Sequence, residues 1–311
     1  MNEIAEKKIK IKSLKIGMKY NSIVFDVFIE KFFLVVGLSC LFILFLIMIF
    51  LIREGVPLFT EISVSDFIAG SEWYPTSENP RYGVFPLIMA SVSVTVLASV
   101  ISIPLSLAVA VYLAELAGSR VREIVKPVVE IIASIPSVVI GFFGMVVVAP
   151  FLINEFNIDS GLNMFNASLM LAFMAVPTIA SISEDAISSV PVNLKEASYA
   201  LGANRWQTIF HVTLPASLSG IWTAIILGIS RVIGETMVVL MVAGGATLIP
   251  HSVFDPVRPL TSNIAAEMAE AEVGGIHYNA LFAIGIILFV ITFLFNIVAD
   301  YLSNKYKFKS N

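Results

Sequence analysis

Six stretches of the chain are nearly unbroken runs of apolar side chains, at residues 32–52, 84–114, 127–153, 165–183, 216–248 and 279–299. Polar and charged residues gather between them. Each run is long enough for a helix to cross about 30 Å of hydrocarbon, which takes roughly 20 residues. The second and fifth exceed that length, which predicts tilt or continuation past the membrane surface. A backbone without water must satisfy its own hydrogen bonds, so each run is predicted to be a helix. None shows the ten-residue alternation of a barrel strand. The first run starts too far from Met1, and lasts too long, for a cleaved signal peptide. The expected fold class is all-α, a polytopic membrane protein with six transmembrane helices.

Composition agrees. Charged residues make up 14% of the chain and mean hydropathy is +0.91, against about 25% charge in an ordinary soluble domain. The net charge of -4 adds little. The single cysteine, Cys40, excludes a disulfide framework and is expected to be a buried thiol.

The placement of Lys and Arg does change the picture. Seven precede or open the first run (Lys7, Lys8, Lys10, Lys12, Lys15, Lys19, Lys31), three lie in 115–126, two in 184–215 (Lys195, Arg205) and three in the tail (Lys305, Lys307, Lys309). These fifteen fall on one side of the predicted membrane, and only Arg53, Arg81 and Arg258 on the other. Positive charge stays inside, so both termini and the 184–215 loop are expected to be cytoplasmic. The predicted organisation is a cytoplasmic segment 1–31, a first span 32–52, an extracytoplasmic loop 53–83, a core 84–299 and a tail 300–311.

Within the second run, Ser91, Thr95, Ser99, Ser102 and Ser106 recur at helical spacing and share one face. Small residues there suit close helix packing first, and the wall of a pathway second. The third run contains "IIASIPSVVIGFFG", where Pro136 removes a backbone hydrogen bond and Gly141 and Gly144 weaken the helix. Such interruptions at membrane depth are tolerated where backbone faces protein or a watery cavity. The loop 53–83, with "SEWYPTSENPRYG", is expected to hold short or irregular structure. In 249–278, "SNIAAEMAEAEVGG" reads as a short helix ending at Gly274. Lys126 is placed to pair with Glu130 four residues on.

The stretch "PVNLKEASYALGANRWQTIFHVTLPASLSGI", residues 191–221, reads as two short helices around a turn. Pro191 suits a helix start, and Asn193 with Glu196 resembles a capping box. Gly202 suits the left-handed position that ends the first helix. Asn204 with Gln207 repeats the capping signature, and Pro215 marks re-entry to the membrane.

This loop resembles the coupling motif of ABC importer permeases: Glu196-Ala197-Ser198, then Gly202, then Val212-Thr213-Leu214-Pro215 at the family's spacing. Ser198 stands for the family's Ala and Val212 for its Ile. The resemblance implies the type I importer permease (MetI-like) fold, and a knob, centred on Glu196, Ala197, Ser198, Gly202, Leu214 and Pro215, that docks on a cytoplasmic ATPase. The chain has no G-x-x-x-x-G-K-[ST], so it holds no nucleotide cofactor itself. ATP and Mg are expected on a separate ATPase chain.

"ILGISRVIGETMVVLMVAGG", residues 226–245, carries Arg231 and Glu235 inside an apolar run. An intramembrane charge costs at least about 2.5 kcal/mol, so it calls for a function or a partner. Four residues apart, the two are expected on one face of one helix, as an ion pair or as an anion relay in which Glu235 holds Arg231 until the anion arrives. Arg presents a planar fork matched to phosphate oxygens. "ISRVIGETM", "IPSVVIGFFG" and "RYGVFPLI" together resemble the phosphate-specific importer, most closely its C-type permease. That implies a homologous A-type permease, an ATPase dimer and an extracytoplasmic phosphate-binding protein as partners. Arg231, Glu235, Ser134, Pro136 and Ser137 are then the expected pathway residues. The alternative is a permease for sulfate, molybdate, an amino acid or another small solute. An enzyme is disfavoured: His211, His251 and His277 lack H-E-x-x-H spacing, and there is no G-x-S-x-G elbow.

Overall fold

The computed structural model describes residues 2–305. Lys307 and Lys309 of the expected cytoplasmic tail therefore lie outside the described residues. The chain divides into two units at Arg53 and Glu54.

The first unit is one helix, α1 (Asn2–Gly55), whose last residues belong to the second unit. It carries most of the first candidate span, Val27–Thr60, whose last five residues form the 3-10 turn that follows. Cys40 is exposed on it rather than buried, because a unit made of one helix has no packed interior in which to hide a thiol.

The second unit opens with a 3-10 turn (Val56–Thr60), helix α2 (Val64–Ala69) and a two-stranded antiparallel ribbon, β1 (Trp73–Tyr74) paired with β2 (Arg81–Tyr82). This fits the expectation of short structure in 53–83. Helix α3 (Phe85–Val111) continues through a π turn (Tyr112–Leu116). Then come α4 (Ser119–Ala133), α5 (Ser137–Phe143), a π turn (Gly144–Val148), α6 (Ala149–Phe156) and α7 (Met164–Ser188). The chain ends with α8 (Val192–Ala200), α9 (Arg205–Thr208), α10 (Leu214–Ile233), α11 (Met237–Val242), α12 (Leu260–Glu267) and α13 (Ile276–Lys305). Among the described residues, six helices are long and apolar enough to cross a membrane.

Two predicted spans are not single helices. The run 127–153 is divided: amphipathic α4 stops at Ala133, and the spanning segment is Ser137–Phe156. Pro136 has no amide hydrogen to continue the ladder, and it pushes the residue before it out of the helical region. The run 216–248 is likewise divided. Helix α10 ends at Ile233, residues 234–236 are not helical, and α11 is only six residues long. Beyond it, Gly244 sits at φ 91°, where a side chain would meet the Leu162 carbonyl and Pro256. The short helix expected to run to Gly274 ends at Glu267, with turns beyond it.

The core is centred on α7, whose Ala167, Leu171, Ala175 and Ile179 are fully buried and which packs against both α3 and α10. Glycines let the backbones approach: a side chain at Gly228 would collide with Ile179, and one at Gly220 with Ala186. The polar stripe of α3 splits in two. Ser102 and Ser106 are buried, and the Ser106 hydroxyl bonds the Ser102 carbonyl of its own helix and Val176 O of α7. Ser91, Thr95 and Ser99 instead border an otherwise apolar cavity of about 620 Å³ between α3, α10 and α13. Thr95 and Ser99 donate back to their own helix, while Ser91 accepts the Leu260 amide.

Candidate functional site

The break between α4 and α5 and the end of α10 meet at Arg231. The guanidinium is half-buried. It donates from one terminal nitrogen to Thr178 Oγ1 of α7 at 3.2 Å, and from the other to the Ala133 carbonyl at 3.4 Å. Ala133 is the last residue of α4, so the side chain closes on the turn that holds Ser134, Pro136 and Ser137. Ser134 and Pro136 are exposed there, and Ser137 opens the next span. The structure thus brings four of the five expected pathway residues to one place.

Glu235 is the exception. It does not pair with Arg231, and the two do not share a helix. Its carboxylate accepts the amides of Met237 at 3.1 Å and Val238 at 3.3 Å, the opening amides of α11. A carboxylate at a helix start satisfies donors that lack intrahelical partners, and this local bond competes with continuing α10. The Glu235 carbonyl receives Thr261 Oγ1 of α12 at 2.8 Å. Among the described residues no carboxylate forms an ion pair with Arg231, so its charge is met only by neutral acceptors. The two interrupted segments are also neighbours: a side chain at Gly141 of α5 would press on Met241 and Val238 of α11.

The second candidate region is the 191–215 knob. The expected capping box at Asn193 and Glu196 does not form, because Pro191, with extended backbone, occupies the N-cap position and no side chain caps the helix. The box at Asn204 and Gln207 is complete, with bonds of 2.9 and 2.8 Å. Gly202 adopts φ 85° with open space around it. The Ser198 hydroxyl meets Thr208 Oγ1 at 2.9 Å in the buried seam between α8 and α9. Serine in place of the usual alanine therefore ties the two short helices together. Glu196 and Ala197 are exposed, while Leu214 and Pro215 are half-buried at the start of α10.

Sequence reasoning missed the apolar tip of this knob: Leu201 is 89% exposed, beside exposed Tyr199 and the stacked pair Trp206 and Phe210. Four large apolar side chains in a polar loop were the available signal. It also missed Glu184, which is fully buried near the end of α7. Arg122 and Lys126 of α4 both pair with it, the latter at 2.6 Å, and the Ser188 hydroxyl adds a bond at 2.8 Å. Lys126 therefore pairs with Glu184 and Asp185, not with Glu130. Burial depresses the Lys126 ammonium, but hydrogen bonds and charge from Asp185 and Glu184 outweigh it and hold the group above the usual lysine value. Glu115 forms a third contact, accepting Lys195 Nζ at 2.5 Å, and its backbone carbonyl takes the Arg205 guanidinium.

Residues 102–308 match the family described as the binding-protein-dependent transport system inner membrane component. The chain belongs to that family. The permease is 40% identical to a probable ABC transporter permease, YqgH, of Bacillus subtilis (strain 168), over 84% of its own length and 85% of the relative. It is 34% identical to the phosphate transport system permease protein PstC of Mesorhizobium japonicum, covering 76% and 77% of the two chains. For PstC of Pasteurella multocida the identity is 35%, covering 73% and 75%. In fold it is similar to a bacterial alginate ABC transporter (TM-score 0.62, 18% identity, covering 89% of this chain and 96% of the other). The MetNI methionine ABC transporter is also similar (TM-score 0.55, 21% identity, 70% and 93%). The MetI-like fold and the likeness to the C-type phosphate permease thus stand. The permease is a multi-pass membrane protein and not an enzyme, and in this class ATP hydrolysis belongs to separate ATPase subunits that work beside a substrate-binding partner.

Proposed function

We propose that this permease subunit forms half of the path by which inorganic phosphate enters the cell, with Arg231 as the charge the anion passes. The observation that carries the reading is the setting of Arg231: a guanidinium inside an apolar span, half-buried, held by a hydroxyl and a carbonyl and, among the described residues, by no carboxylate. A charge so placed costs at least about 2.5 kcal/mol, and an arriving oxyanion offsets that cost through paired N–H···O bonds. The span that opens at Ser137 adds the positive end of a helix dipole. Interrupted helices at membrane depth suit an anion path for the same reason. The names of the PstC relatives support phosphate as the solute. Glu235 shapes the break by capping α11 and plays no part in holding Arg231. Arg231 must bind weakly, since a tight site would trap the anion.

In this reading an external phosphate-binding protein delivers to the outer loops 53–83 and 249–278, and a homologous A-type permease completes the path. A cytoplasmic ATPase dimer grips the 191–215 knob through Glu196, Ala197 and the exposed Leu201 and Trp206. ATP and Mg stay on that dimer. Both termini and the 184–215 loop face the cytoplasm, as the lysine and arginine bias requires.

The test is phosphate uptake by the reconstituted complex with Arg231→Ala. Uptake should fall at least tenfold while the subunits still co-purify, and Arg231→Lys should restore part of it, keeping the charge but not the fork. Normal uptake by the alanine variant would overturn the assignment. Competition by sulfate or molybdate at equal concentration would instead favour the broader oxyanion alternative.

A further inference from the structure

We infer that α4 is a strut linking the cytoplasmic knob to Arg231, and that buried Glu184 is the positioning residue that fixes its pivot. The inference rests on the reading of Arg231 and the knob given above, and deepens it by assigning the route between them. Three contacts carry it, and they lie in order along the chain between the two regions.

At the cytoplasmic end, Lys195 of α8 and Arg205 of α9 both hold Glu115, one by its side chain and the other by its carbonyl. The knob is thus fastened at two points to the π turn that precedes α4. In the middle, α4 is clamped to α7 by Arg122 and Lys126 around Glu184, with Asp185 and Ser188 completing the set. At the far end, the last residue of α4 offers its carbonyl to Arg231. Helix α4 has no buried residue of its own, and Val121, Ile124, Val128 and Ile131 are exposed along one side. Val129 and Ile132 on the other side face an apolar cavity shared with α7 and are only half-buried. The polar contacts are therefore what fixes the position of α4 most closely, and a displacement at one of them is passed along its length.

The Glu184 carboxylate is the group on which this depends. It is fully buried, and among the described residues it is the one carboxylate bonded by both cations of α4, with Asp185 sharing Lys126. Movement of the knob shifts Glu115, α4 turns about the Glu184 clamp, and the Ala133 carbonyl is drawn toward or away from the guanidinium. Arg231 is then engaged by its own backbone acceptor in one state and open to the anion in the other.

The experiment uses the reconstituted complex with the Cys40→Ser background and one reporter, Ser134→Cys, exposed next to Ala133. Labelling of that thiol is measured without nucleotide and with ATP trapped. We expect the rate to differ at least fivefold between the two states. In Glu184→Gln the difference should fall below twofold while basal ATP hydrolysis persists, so that phosphate moved per ATP drops. Glu184→Asp, which keeps the charge, should retain most of the difference. If the glutamine complex does not assemble, Lys195→Gln, at the other fastening, should give the same loss of ATP-dependent labelling. An unchanged labelling difference in Glu184→Gln, or equal loss in Glu184→Asp and Glu184→Gln, would overturn the strut. Because labelling does not need phosphate, normal uptake by Arg231→Ala would remove the substrate assignment and leave this result standing.

Discussion

Two ends of the core are each tied by a carboxylate, Glu184 at one and Glu267 at the other, and the two ties are built differently. Glu184 is fully buried and gathers Arg122, Lys126 and Ser188, so it joins two helices, α4 and α7. Glu267 keeps a little exposure and gathers four segments. The Trp73 indole donates to both of its oxygens at 3.1 and 3.0 Å, Arg258 donates at 2.7 Å, and His277 lies at 2.9 Å. Arg258 is itself held by the Gly245 carbonyl. The Glu267 tie is a crosslink among four segments, whereas the Glu184 tie, with Asp185 and Ser188 beside it, joins one helix to another. A clamp between two helices suits a part that must move as a unit, and a crosslink among loops suits a surface that must hold its shape.

The largest effect that would sharpen this contrast is Glu184→Ala. Removing the buried carboxylate leaves two part-exposed cations that keep Ser188 and Asp185 as acceptors, and a loss of about 3 kcal/mol is expected, the low end for breaking a buried pair. Thermal unfolding of the detergent-purified complex measures it, and hydrogen exchange should rise selectively over 119–133. Glu267→Ala should cost less, about 1–3 kcal/mol, because Arg258 keeps Gly245 and Asn263 as acceptors. Its exchange signature should spread over β1, the 244–258 loop and the start of α13. Equal losses with equal spread would remove the distinction.

A smaller effect tests the knob. Gly202→Ala places a side chain at φ 85° in open space, so only backbone strain of about 1 kcal/mol is added. Uptake should fall while ATP hydrolysis by the partner continues, read from the ratio of the two rates.

The smallest effect concerns pH, and the two ends should respond with opposite sign. Backbone amides of Ser252 and His251 hold the Asp255 carboxyl below its ordinary range. Its contribution is therefore complete above the usual aspartate value and is lost as pH falls through the lowered one. Lys126 is raised, so the Glu184 clamp is complete below the usual lysine value and is lost only as pH rises through the raised one. Acid should lower the protection of the His251 and Ser252 amides, measured against their intrinsic exchange rates, and Asp255→Asn should abolish that dependence. Alkali should loosen α4 first.

Apolar run length alone determined the number of spans, because the bilayer leaves a backbone no choice but the helix. Spacing in 191–215 determined the knob, since the Asn204–Gln207 box and the left-handed Gly202 are local bonds and local angles. Only the tertiary structure decided where the runs break. Pro136 was visible in the sequence, but the end of α4 at Ala133 shows its meaning only once Arg231 reaches that carbonyl from another helix. The division of Arg231 from Glu235 was likewise not legible. Four-residue spacing implies a shared face only if the helix continues, and a carboxylate beside free amides ends it. Glu184 was invisible for a related reason: its cations lie about sixty residues earlier, and a charge pair formed across helices leaves no periodic trace along the chain.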